Sequence, residues 1–157
     1  MDRQTRDTLI AQYGDGFRVV SDALDGVTEA ELEAREAPGE WSPRQVVHHL
    51  ADSEMTSAIR LRRMLVEDAP LIKGYDQEEF AARLHYDRPI HASLAAFKAA
   101  RETTSEIMVR MTDADWQRGG SHTESGHYTA LGWLEIYAVH AHEHADQIRR
   151  ARARVAS

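Results

Sequence analysis

The 157-residue sequence contains no cysteine. That excludes disulfides and thiolate metal sites, so any metal must sit on His, Asp, Glu or water. The same absence fits the reducing cytosol, and the chain is expected to be cytoplasmic. No apolar run approaches the roughly 20 residues of a membrane span. The opening Met-Asp-Arg-Gln-Thr-Arg lacks the apolar segment of a signal peptide. Basic residues are in deficit: 19 Lys and Arg against 26 Asp and Glu give a net charge of -7. That balance is the wrong sign for holding a phosphate backbone. Neither nucleic acid nor a membrane is therefore expected as a partner. Prolines number only four, and Pro38, Pro43, Pro70 and Pro89 each fall where an apolar period starts or stops.

Between these breaks the apolar residues recur with the period of a one-sided helix. Residues 2 to 24 carry Leu9, Ile10, Tyr13, Phe17, Val20 and Leu24. Thr28 with Glu31 is a capping box for a short helix over residues 29 to 35. Ser42 and Pro43 form an N-cap followed by a first-turn proline, opening a second long helix to about Asp68. A third runs from Pro89 to about Met111, and Thr129 caps a fourth to about Arg152. The long connection over residues 69 to 88 holds a short helix near Gln77 to Leu84. Arg118 to Tyr128 reads as a polar loop or small hairpin, and no convincing strand ladder is present. Length and balance, 42% hydrophobic and 29% charged, suit one domain over residues 1–157. The expected fold is all-α: a four-helix bundle whose long crossover allows helices two and three to run parallel.

Nine histidines are distributed along this frame. The fourth helix holds Tyr137-Ala-Val-His140-Ala-His142-Glu143-His144. His140 and His144 are four residues apart and leave one helix face a turn apart. This is the spacing by which one helix gives two nitrogens to one metal ion. It is not the HExxH pattern, because Glu143 precedes the second histidine. A third ligand must come from elsewhere, and the second helix offers His48 and His49. Adjacent residues point about 100° apart, so at most one faces a given site. The two flank the apolar stripe almost symmetrically, and periodicity does not choose between them.

With both stretches in view, the chain resembles the DinB-like superfamily, and especially its YfiT-type branch of metal-dependent hydrolases. The matching residues are Trp41-Ser42, His48-His49-Leu50-Ala51-Asp52-Ser53, Glu67-Asp68 with Pro70, Tyr75-Asp76, Glu124-Ser125-Gly126, and Tyr137 to Ile148. The resemblance implies a four-helix bundle, often a homodimer, with a divalent metal on three histidines. The early ligand, the histidine just before the leucine, falls on His49, and the late pair on His140 and His144. YfiT-like relatives are similar to bacillithiol S-transferases, and other members use mycothiol or glutathione.

Three neutral imidazoles leave at least one metal position open for water or a thiolate. Zinc and nickel both suit nitrogen ligands. The expected activity is a thiol S-transferase or metal-dependent hydrolase acting on a small electrophilic substrate, with a low-molecular-weight thiol as possible co-substrate. The alternative is a non-catalytic, metal-binding dimeric stress-response module. Glu54, toward the apolar side of helix two, is the candidate general base or support for a ligand, ahead of Asp52 and Glu143. His142 reads as solvated, His85 and His91 as structural or exposed. His122 and His127 read as surface residues able to line a site mouth. Arg60, Arg62 and Arg63 form a basic cluster, either a solvated face or an anion clamp. Trp41 and Trp133 read as core.

Overall fold

A computed structural model describes residues 1–155. The reading of one domain over residues 1–157 extends two residues beyond these. Four long helices dominate: α1 (Arg3–Ala23), α3 (Pro43–Val66), α5 (His91–Met108) and α7 (Ala130–Ala153). Short helices α2 (Glu29–Leu32), α4 (Gln77–Arg83) and α6 (Asp113–Gln117) lie in the connections. The caps explain the starts. Thr28 with Glu31 and Ser42 with Gln45 form reciprocal capping boxes, and the Thr129 hydroxyl accepts from Gly132 N. Each relieves amide donors that the first helical turn leaves unpaired.

Side-chain contacts give the helix directions. His48 meets Ser93, Glu54 meets Arg101 and Arg62 meets Thr104, so α3 and α5 run parallel, as the long crossover suggests. Gln12 meets His142 and Ala23 meets Arg152, so α1 and α7 also run parallel. The α3–α7 pair is antiparallel, with His49 beside His144 and Ser57 beside Trp133.

Of the loop or hairpin expected over residues 118 to 128 the structure has the hairpin, and the expectation of no strand ladder is corrected. Strands β1 (Leu71–Ile72), β2 (Gly119–His122) and β3 (Gly126–Thr129) form a small sheet in that order. Here β1 pairs parallel to β2, and β2 pairs antiparallel to β3. The sheet ties the crossover to the loop before α7 and brings both against one side of the bundle.

Apolar burial falls into two clusters. One holds Val20, Val47, Leu50, Phe97 and Ile148. The other holds Tyr13, Leu61, Met64, Met108 and Trp133. Between them along α3 and α5 lie Ser53, Glu54, Ser57, Arg101 and Thr104, all buried. A polar layer thus crosses the core at mid-height. Buried charge survives there because its members pair with one another.

Candidate metal centre

The polar layer opens toward the face where α3 and α7 run antiparallel, and three histidines meet there. His49 comes from α3, and His140 and His144 from successive turns of α7. One ring nitrogen from each lies within 4.8 Å of the other two. His49 Nε2 and His140 Nε2 are 3.3 Å apart. Two imidazoles held at zinc–nitrogen lengths in a tetrahedral site stand about 3.4 Å apart, so this spacing fits a shared ion. His144 Nδ1 lies 2.8 Å from Gln147 Oε1. The amide oxygen accepts the ring N–H, which leaves Nε2 with its lone pair free. His49 packs against the Trp41 ring, with centroids 4.7 Å apart, and its Nδ1 is buried without a partner.

Burial keeps all three rings neutral. It is the main force holding His49 at about 3, with His144 adding repulsion. Burial also drives His140 well below the ordinary histidine value, helped by His144, His49 and Arg101. His144 is lowered by burial too, opposed by Gln147 and Glu143. Three convergent neutral imidazoles, each with one nitrogen lone pair to give, are a donor set suited to a divalent cation.

A cavity of about 260 Å³ leads to this point, lined by His49, Ser53, Arg60, Tyr75, Tyr137 and His140 with His122 of β2 and Glu124 of the turn after it. It is smaller than the roughly 300–1,000 Å³ typical of ligand pockets, so the ligand it admits is small.

The other sequence candidates fall elsewhere. His48 is fully buried, its Nδ1 2.7 Å from Ser93 Oγ and its Nε2 2.9 Å from the Arg88 carbonyl. It fastens α3 to the crossover. Glu54 is 1% exposed and absent from the cavity wall. Its Oε2 accepts from Arg101 Nε at 3.0 Å and its Oε1 accepts from the Tyr13 hydroxyl. Burial raises Glu54 against the pull of Arg101 and Tyr13. The carboxylate expected to act as a base is committed to Arg101 beneath the site and does not face a substrate. Asp52 accepts from the Tyr86 hydroxyl at 2.7 Å, and Glu143 is exposed. His142 is half-buried and meets the Gln12 carbonyl at 3.0 Å, where the sequence suggested a solvated ring. His122 is buried, not a surface residue. His127 is exposed.

The carboxylate that does reach the cavity is Glu124, in the β2–β3 turn. It rests where a side chain at position 74 would be: a Cβ on Gly74 would lie 2.3 Å from Glu124 Oε1. Sequence reasoning did not give Glu124 a role. The signals were Glu124-Ser125-Gly126 among the matching residues and the loop-or-hairpin reading of residues 118 to 128, which left out the pairing with β1 that brings the turn to the site.

The fold and site define a helical bundle with a three-histidine centre between two antiparallel helices. The chain belongs to the DinB superfamily, whose pattern matches residues 12–148. It is 33% identical over 131 residues to a protein of Oceanobacillus iheyensis named "Putative metal-dependent hydrolase", covering 83% of this chain and 76% of that one. YfiT from Bacillus subtilis, described as "a probable metal-dependent hydrolase with an unusual four-helix bundle topology", superposes with a TM-score of 0.92 at 27% identity. That match covers 99% of this chain and 90% of YfiT. The four-helix bundle protein TT2238 shares the fold at a TM-score of 0.64 and 23% identity, covering 97% of this chain and 99% of TT2238. Among the described residues no helix is long and apolar enough to cross a membrane.

Proposed function

We propose that the chain is a divalent-metal enzyme acting on a small electrophilic substrate, with His49, His140 and His144 as the metal ligands. The observation that carries this reading is the convergence of three histidine ring nitrogens, two of them on rings, His49 and His140, that line a cavity. A zinc or nickel ion held there would supply Lewis acidity at an open position, either to a water for hydrolysis or to a low-molecular-weight thiol for transfer.

The chain's own residues supply the rest. Gln147 fixes the His144 tautomer. Burial keeps the triad free of competing protons. Glu124 is the carboxylate placed to accept a proton from a bound nucleophile. His122 Nδ1 accepts from the Glu124 and Ser125 backbone amides at 3.2 and 3.4 Å. Its proton is therefore on Nε2, making that nitrogen a donor at the cavity wall. A cavity lined by His49 and His140 favours catalysis over a metal-binding module without it.

The test is metal content by mass spectrometry on protein purified without a nickel column, followed by a screen of small esters, amides and thiol–electrophile pairs. Near-stoichiometric metal that disappears in His140→Ala and His144→Ala is the expected result. Wild-type protein that takes up neither zinc nor nickel on reconstitution would sink the reading.

A further inference from the structure

The three arginines in the basic cluster of α3 have different fates. Arg62 bonds the Ala58 carbonyl, Thr104 and Thr103. Arg63 forms a two-point pair with Glu67 and reaches the Leu71 carbonyl. Arg60 alone turns into the cavity of the histidine centre. Its Nη2 donates to the Lys73 carbonyl at 2.6 Å and its Nη1 lies 3.4 Å from the Tyr137 hydroxyl oxygen. The guanidinium stands 5.8 Å from the centre of the Tyr75 ring. Its Nε is buried without a hydrogen-bond partner.

Arg60 also forms no ion pair within 4.0 Å among the described residues. In a chain with 26 acidic side chains against 19 basic ones, a cavity-lining cation with no carboxylate within ion-pair distance is conspicuous. Glu124 lines the same cavity but stays outside ion-pair distance. Arg60 also stands by the Tyr128 hydroxyl. Yet its Nη1 and Nη2 each spend only one of two hydrogens on Tyr137 and Lys73. A planar guanidinium with N–H groups left over is the group that binds a carboxylate or phosphate best. The Tyr137 hydroxyl accepts from Arg60 and also meets the Ser53 side chain, so it adds a second polar group beside the guanidinium. Tyr137 lies one helical turn before His140, with ring centroids 5.7 Å apart. An anion on Arg60 would therefore sit about one tyrosine ring from the histidines.

We propose that Arg60 and the Tyr137 hydroxyl form an anion subsite, and that the substrate or co-substrate carries a carboxylate or phosphate a short spacer from its reacting group. The inference rests on the proposed metal enzyme only for where the reacting group lies. The anion site itself is a property of Arg60 and its surroundings.

Two probes of matched shape test it on zinc-loaded protein by calorimetry: the monohydroxamate of succinate, with a free carboxylate, and the uncharged hydroxamate of butyrate. The charged probe is expected to bind wild type at least about tenfold tighter, because hydrogen bonds to a charged group are the strong ones. Arg60→Gln should erase that preference while retaining zinc, and Arg60→Lys should keep part of it. Equal binding of the two probes, or a preference surviving in Arg60→Gln, would overturn the subsite.

A second readout needs no metal. In nitrogen-15-labelled apo protein the Arg60 Nε–H signal, identified by its loss in Arg60→Lys, should shift saturably with acetate or inorganic phosphate. The anion giving the tighter titration indicates which source the site prefers. A signal unmoved by both anions overturns the proposal even if zinc binds. A saturable shift supports it even if zinc does not, in which case only the metal-enzyme reading fails.

Discussion

Arg101 occupies the space that a side chain at Gly16 would need: a Cβ placed there would lie 1.5 Å from Arg101 Nη1 and 2.9 Å from Ala141 Cβ. The guanidinium is 4.1 Å from the Tyr13 ring centre and donates to Glu54 and, at 2.6 Å, to the Tyr137 carbonyl. One glycine on α1 thus admits the cation that joins α3, α5 and α7. Gly16→Ala should cost about 3 kcal/mol, since the arginine must move and its buried pair with Glu54 breaks. Urea unfolding measures this, and a loss below about 1 kcal/mol would show that the layer rearranges without strain.

Two glutamates should separate stability from chemistry. Glu54→Gln leaves Arg101 buried beside an uncharged partner, and about 3 kcal/mol of stability should go with it. Glu124→Gln should change stability by no more than about 0.5 kcal/mol. Its turnover of any substrate found in the screen should fall at least about tenfold. Denaturation and steady-state kinetics on both variants check the pair, and the reverse pattern would return the base role to Glu54.

Gln147 should matter to the metal and little to the fold. Its amide orients His144 from behind, and such partners are typically worth about 10- to 100-fold in metal affinity. Competition with a chromophoric chelator should show a loss of that size in Gln147→Leu. Unchanged affinity would mean that packing alone orients the ring.

Acidity should loosen the metal-free protein before its carboxylates titrate. His49 sits at about 3 in the fold against 6.5 when unperturbed, with burial the chief cause, and His140 and His144 are lowered too. Below about pH 6.5 the unfolded chain binds protons on these rings that the folded chain refuses. The stability tied to their neutrality is fully present above that pH. It declines as pH falls and is lost through the folded values. The melting temperature of apo protein should therefore drop between pH 7.5 and 5 by more in wild type than in His49→Gln. Parallel curves for the two would contradict the assignment.

Much of the frame was legible because its signals are local. The capping box at Thr28, the N-cap at Ser42, proline at the start of α3 and the four-residue step from His140 to His144 need only neighbours in sequence. The parallel α3–α5 pair followed from the length of the crossover. The choice between His48 and His49 was not legible from periodicity, because it depends on Ser93 and the Arg88 carbonyl, brought by another helix and the crossover. Arg101 carries no local mark of its partner, which lies 47 positions away. The loop-or-hairpin reading of residues 118 to 128 allowed for β2 and β3, but their pairing with β1 escaped for a related reason. Strands of two and four residues are too short for an alternating pattern, and β1 finds β2 some fifty positions later. With it went Glu124 and the far wall of the cavity.

The parallel packing of α1 on α7 bears on how the molecule is assembled. Gln12 and His142 are 130 positions apart and Ala23 and Arg152 129 apart, so the first helix meets its main neighbour only when the last is available. A bundle of up-and-down neighbours can close hairpin by hairpin, whereas this one depends on its most distant contacts, which slows the search. On the ribosome Phe17 of α1 can meet Phe97 of α5 early, but the part of the stripe that faces α7 must wait, uncovered, until α7 has emerged. Pulsed hydrogen exchange during refolding should find the amides of α1 and α7 gaining protection together, and protection of α1 well ahead of α7 would argue for a different order.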